Sequence, residues 1–170
     1  MGDLVETGGG APALPPNFEK LDKVWGRIDE ARTASATAFS PSAQLLSDLD
    51  AVIDLVGRHA GDIQAAAAPI SKGDLAIHLG LLFKSFPNAG VQDARIFGKM
   101  MRDDVLSLQP TVGAIDLGCR RWRRKSKFLP AIAEMMEEVR SAQSQIEGAV
   151  DFVRRLPALR ADMARKLSSL

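Results

Sequence analysis

The sequence is poor in the residues that most often carry chemistry, with one cysteine, Cys119, and two histidines, His59 and His78, among 170 residues. A single cysteine excludes an intrachain disulfide, and without a Cys/His cluster there is no zinc-type site and no cofactor to expect. That usage fits a reducing, cytoplasmic setting. An excess of one charge is missing too: 22 Lys+Arg against 21 Asp+Glu leave a formal net charge of +1. Binding of nucleic acid over the whole surface is therefore not expected, and any anionic partner must meet a local patch. No window approaches about 18 uninterrupted apolar residues, so no membrane span is expected. The N-terminal Met1-Gly2-Asp3-Leu4 is not a basic run followed by an apolar stretch, so no signal peptide is expected either. No segment alternates apolar and polar residues like a strand. Gly8-Gly9-Gly10 precedes no lysine-bearing phosphate loop.

What is present is helical periodicity, and the expected fold class is all-α: a compact helical domain with a long C-terminal amphipathic helix. The length suits one core with loose ends. Residues 1–17, rich in glycine and proline, are expected to be a disordered tail. The single helical domain spans 18–156. Its first helix carries Phe18, Leu21, Trp25 and Ile28 on one face and ends in the run Thr33 to Ala38. Ser40-Pro41 reads as an N-cap followed by proline in the first turn, opening a helix with Leu45, Leu49, Val52, Ile53 and Val56 inward and Gly57 or Gly61 as its stop. Gln64 to Ala68 makes one or two turns closed by Pro69. Ser71 with Asp74 resembles a capping box for a helix bearing Leu75, Leu79, Leu82, Phe83 and Phe86. Pro87 to Gly90 is a turn. Ala94, Phe97, Met101, Val105 and Leu108 line one side of the next helix, with Arg95, Lys99 and Arg102 on much of the rest. Pro110-Thr111 ends it, and a further helix runs to about Lys127.

From Phe128 onward two interleaved series recur every seventh position: Ile132, Val139, Ile146, Val153, and Phe128, Met135, Ala142, Ala149, Leu156. This is the stripe of a helix from about Pro130 to Arg155 that lies against other helices. Pro157 is expected to break it, leaving 157–170 as a short C-terminal helix with a frayed end. Phe83, Phe86, Phe97, Met101, Trp122, Phe128 and Ile132 are expected in one continuous core.

The candidate binding residues are Arg120, Arg121, Arg123, Arg124, Lys125 and Lys127. No acid occurs from Leu117 to Ala133, whereas an ordinary solvated face mixes signs. On a helical projection Ile115, Gly118, Cys119 and Trp122 share one face, while Arg120 and Arg124 point nearly opposite. On that projection, exchanging Arg120 for serine costs the fold little. Phosphates and an acidic protein surface both remain open as partners of these cations. The remaining candidates read as structural. His59 and His78 lack neighbouring partners for catalysis or metal binding, and Cys119 lies on an apolar face as a buried thiol. Glu134, Glu137 and Glu138 favour the start of a helix. The pairs Met100-Met101 and Met135-Met136 have core packing as their commoner use and adaptation to a partner as the other. With no paired base, nucleophile or phosphate loop, an enzyme is not expected.

The run from Leu79 to Val139 resembles prophage and bacteriophage replication proteins of the helicase-loader type. It carries an L-x-x-L-F-x-x-F-P opening, an acid that starts a helix, an Arg-Arg pair and K-F-x-P-x-x-x-E. The matching positions are Leu79, Leu82, Phe83, Phe86, Pro87, Asp93, Arg120, Arg121, Lys127, Phe128, Pro130 and Glu134. The resemblance implies a non-enzymatic replication accessory protein, an adaptor that binds a replicative helicase; the basic cluster is expected to meet the helicase, DNA or both. The alternative is a helical scaffold that forms homo-oligomers through the stripe of residues 128–156.

Overall fold

The computed structural model describes residues 16–87, 90 and 93–169, and among them the chain forms seven α-helices and no strand. The tail assigned to residues 1–15, the turn residues Asn88 and Ala89, and Leu170 lie outside the described residues. The all-α expectation holds. A 3-10 turn (Glu19–Leu21) leads into α1 (Asp22–Thr37), followed by α2 (Ala43–Arg58), α3 (Ala60–Ala67), α4 (Lys72–Lys84), α5 (Ala94–Ser107), α6 (Val112–Lys125) and α7 (Ile132–Ser168). No helix among the described residues is long and apolar enough to cross a membrane.

Local chemistry accounts for most of the boundaries. Asn17, expected to belong to the tail, accepts a bond from Glu19 N at 2.8 Å and starts the first turn. Ser71 Oγ accepts from Asp74 N at 3.0 Å and donates to the Asp74 carboxylate at 2.6 Å, which opens α4 as its capping signature predicts. Asp93 caps α5 through Ile96 N at 3.0 Å. The cap of α2 is Ser42, not Ser40: its Oγ accepts from Leu45 N at 3.1 Å, and Pro41 falls just before the helix. Gln109, beyond the end of α5, takes a left-handed backbone with φ of 51°. The turn it makes lets Pro110 O accept from Ile70 N at 3.0 Å and Val112 N donate to Ala68 O at 2.9 Å. These bonds join the α3–α4 and α5–α6 connections, and Thr111 N donates to Gln143 Oε1 on α7 at 2.9 Å.

The expected break at Pro157 does not occur, and residues 157–168 continue α7. Proline removes one backbone donor there, at a cost of about 3 kcal/mol in a helix interior. Burial on both sides of it offsets that loss. Pro157 itself faces outward, Leu156 is buried, and Leu159 and Met163 pack on the core. One turn beyond, Arg160 grips Asp50 of α2 with two hydrogen bonds of 2.8 Å each.

The core is two clusters instead of the single one expected. Leu21, Trp25, Ile28, Leu49 and Val52 meet Ala114, Leu117 and the Ala142 to Leu156 part of α7 in the first. In the second, Leu75, Leu79, Leu82, Met101 and Val105 meet Ile115, Cys119, Trp122, Met135 and Val139. Helices α6 and α7 serve both. Of the residues assigned to the core, Phe86, Met101 and Trp122 are buried, and Phe83, Phe97 and Ile132 pack half-buried against the second cluster. Phe128 is the error, at 79% exposed. Trp122 Nε1 donates to Phe128 O at 2.8 Å, so the backbone of Phe128 is tied down while its side chain leaves. Because α7 begins only at Ile132, the seven-residue register never reaches it.

Two glycines test this packing. A Cβ on Gly113 would lie 2.9 Å from Ala66 O and 3.0 Å from Ile146 Cδ1, whereas one on Gly148 would meet only the tip of Arg32. Urea unfolding of Gly113→Ala should reveal a loss of about 1–3 kcal/mol from overpacking. Gly148→Ala should be neutral or gain up to about 1 kcal/mol, the ordinary helix preference.

Candidate functional site

Helix α6 is buried on almost every side from Gly113 to Arg120. The projection that put Arg120 opposite the apolar face was correct about direction and wrong about what lies there. The N-terminal turn covers that side. Arg120 Nε donates to Asp116 at 3.0 Å, and its two terminal nitrogens donate to Asp22 at 2.6 and 2.9 Å. Asp116 also accepts from Phe18 N at 3.3 Å. Arg120 is thus a buried structural cation, with its side chain 7% exposed, and not a binding residue on the surface.

The rest of the basic cluster divides in two. Arg124 pairs with Glu19 and lies 3.6 Å from Asp22. Lys125 pairs with Glu138 and sits 4.8 Å above the Trp122 ring, where a cation is attracted by the aromatic face. Arg121 donates to Gln145 on α7. Arg123 and Lys127 are exposed and have no ion pair among the described residues. Acids distant in sequence therefore neutralise half of a cluster that contains none of its own. Glu134, read as favouring a helix start, does so by accepting from Ala131 N at 2.8 Å.

Of the groups expected to be structural, Cys119 and His78 are enclosed. Burial pushes the Cys119 thiol up to about 12, which removes the thiolate needed for nucleophilic attack. His78 is buried, its Nε2 has no hydrogen-bond partner among the described residues, and desolvation holds its pKa below the ordinary value despite Asp116 and Asp74 nearby.

A second surface was not assembled from the sequence. Between α4 and α5 runs an open groove of about 500 Å³ whose walls include Leu79, Gly80, Phe83, Ile96, Gly98 and Arg102. It continues past Phe83 and Ala94 into a hollow of about 310 Å³ that ends at Phe86 and Leu129. Phe83 and Phe97 rings stack at a tilt there, 5.9 Å between centroids. On the α5 wall and beside it, Ile96 and Met100 are 54% and 52% exposed. The groove is thus open to solvent along an apolar wall. Its signal was visible in α5, where Ile96 and Met100 stand one turn apart just outside the stripe of Phe97, Met101 and Val105. Met101 is fully buried, so one member of the methionine pair is core and the other is surface.

Comparison with known proteins finds no matching family model, curated protein or solved structure.

The buried network makes two measurable claims. Arg120→Ser should destabilise the protein by about 3 kcal/mol in chemical unfolding, the lower end for a broken buried pair because Asp22 keeps access to water. Arg123→Ser with Lys127→Ser should shift stability by less than about 0.5 kcal/mol per residue. For His78, the folded protein resists protonation more than the unfolded chain, so its contribution is complete above pH 6.5, the ordinary histidine value. That contribution declines as the pH falls through 6.5. Unfolding midpoints between about pH 7 and 5 should fall with acid in the parent and fall less steeply in His78→Gln.

Proposed function

We propose that this protein is a non-enzymatic helical adaptor, cytoplasmic in setting, that binds a protein partner through the open groove between α4 and α5. The observation that carries the reading is the meeting of half-exposed Ile96 with Phe83 and Phe97 along the groove and its adjoining hollow, with half-exposed Met100 on the same helix. An open groove with exposed apolar residues on its wall is the kind of surface a protein partner can cover. The basic cluster supports DNA binding less well than its sequence implies. Arg120, Arg124 and Lys125 already hold carboxylates of this chain, and each phosphate contact would have to displace one. The scaffold reading loses its surface, because Met135, Val139, Ala142, Ile146, Ala149 and Leu156 are spent inside the fold. A replicative helicase is the partner implied by the loader-type resemblance, whose span from Leu79 to Val139 includes the α5 wall of the groove.

Capture from a lysate of the native host tests this with three baits: the parent, an Ile96→Ser, Met100→Ser variant, and an Arg123→Ser, Lys127→Ser variant. The expected result, read by mass spectrometry, is a protein held by the first and third baits and lost by the second. A replicative helicase in that position would carry the loader reading. A partner lost only by the third bait would return the basic cluster to first place.

A further inference from the structure

The chemistry of the groove narrows the kind of partner, on the premise that the groove is the docking surface. Its rim is cationic on one side. Arg95, Lys99 and Arg102 line it, and no acid among the described residues does. One carboxylate, Asp103, serves two of them, at 2.9 Å from Lys99 and 3.8 Å from Arg102. Arg102 Nε is buried and has no hydrogen-bond partner among the described residues. Arg95 has no ion pair among them either. Asp93, the acid nearest that end, is turned back to cap Ile96 N, and Asp74 is held by Ser71 at the far end of α4. An apolar floor whose rim of three cations is only partly compensated, by one aspartate, attracts anions along one edge only.

Length also limits the occupant. The lining positions on and just beyond α4, from Ala76 to Phe86, span about 15 Å at the rise of a helix, enough for roughly three turns of another helix. The floor is open where such a helix would approach: a Cβ on Gly80 would meet nothing within 4 Å. At the wall, by contrast, Gly98 allows Phe83 to lie flat, since a Cβ there would be 3.0 Å from the ring. We infer that the α4–α5 groove docks an amphipathic helix of about three turns from an acidic protein partner, its apolar face on Phe83 and Ile96 and its carboxylates against Arg95, Lys99 and Arg102. Apolar contacts hold the helix, and the carboxylates set its identity and its direction of approach.

The test uses three synthetic helical peptides with one shared Leu/Phe face and with Glu, Lys or Gln at the remaining positions, titrated against the full chain by fluorescence anisotropy. The Glu peptide should bind at least about tenfold more tightly than the Lys peptide at low salt, and the gap should narrow as salt is added. Gly80→Leu should abolish binding while leaving the circular dichroism intact, because leucine prefers a helix to glycine and the space above Gly80 is open. Arg95→Glu with Lys99→Glu should reverse the preference toward the Lys peptide. Equal binding of the Glu and Lys peptides, lost in Gly80→Leu, would overturn the acidic partner and leave the groove as a docking site. Binding of no peptide, or binding that Gly80→Leu does not change, would overturn the docking surface as well. A dimer of the chain alone that dissociates in Gly80→Leu would overturn the inference by filling the groove with a second copy.

Discussion

The closure of this fold depends on the pairing of Arg120 inside the protein. A guanidinium brought out of water loses several kcal/mol of hydration unless its donors find acceptors of the right geometry. Here Asp116, one turn earlier on α6, fixes Nε, and Asp22 at the start of α1 takes the two terminal nitrogens side by side. Asp116 spends its remaining capacity on the backbone of Phe18. The N-terminal turn is thereby fastened across α6 by charge, and Phe18, Leu21 and Trp25 can enter the first core cluster. Removing Arg120 would leave the buried Asp116 with only the Phe18 amide as a partner, while Asp22 keeps access to water.

With that side closed, α6 can be enclosed by the whole fold. It presents Ala114 and Leu117 to one core cluster and Ile115, Cys119 and Trp122 to the other. Gly113 permits the close approach to α3 and to Ile146 that this central position demands. Helix α7 then runs along both clusters. Its stripe has small residues at Ala142 and Ala149 and larger ones elsewhere, which suits packing against several helices of the same chain better than a parallel dimer seam. The same long-range packing carries α7 through Pro157, since Leu159, Met163 and the Arg160–Asp50 pair all lie beyond the proline.

These internal demands also decide what is left for partners. Carboxylates that neutralise Arg120, Arg124 and Lys125 come from the N-terminal turns, from α7 and, for Arg120, also from Asp116 of α6, so a cluster conspicuous in sequence is subdued in space. The α4–α5 side is different. It lies at the end of the second cluster, where no further helix among the described residues covers Phe83, Ile96 and Met100, and a single aspartate serves both Lys99 and Arg102. Function is best sought where the fold leaves apolar surface open, more than where the sequence gathers charge.

Much of the fold was legible because it is local. Helix class, the Ser71 cap and the α7 stripe depend on neighbours within one or two turns, and capping residues and the spacing of apolar residues record them directly. Periodicity determines which residues share a face of a helix. It does not determine how many faces the rest of the chain covers. Arg120 was assigned to water because its acceptor Asp22 lies 98 residues away, and Phe128 was assigned to the core because the stripe was extended past the true start of α7. The break expected at Pro157 failed for the same reason, since a local cost was outweighed by contacts with α2. The groove was illegible as a site because α4 and α5 each supply only part of it, and only their packing brings Phe83, Ile96 and Arg102 to one surface. Sequence alone therefore determined the helices and their apolar stripes, while tertiary structure decided which charges are buried and which apolar groups remain exposed, because burial is a property of long-range neighbours.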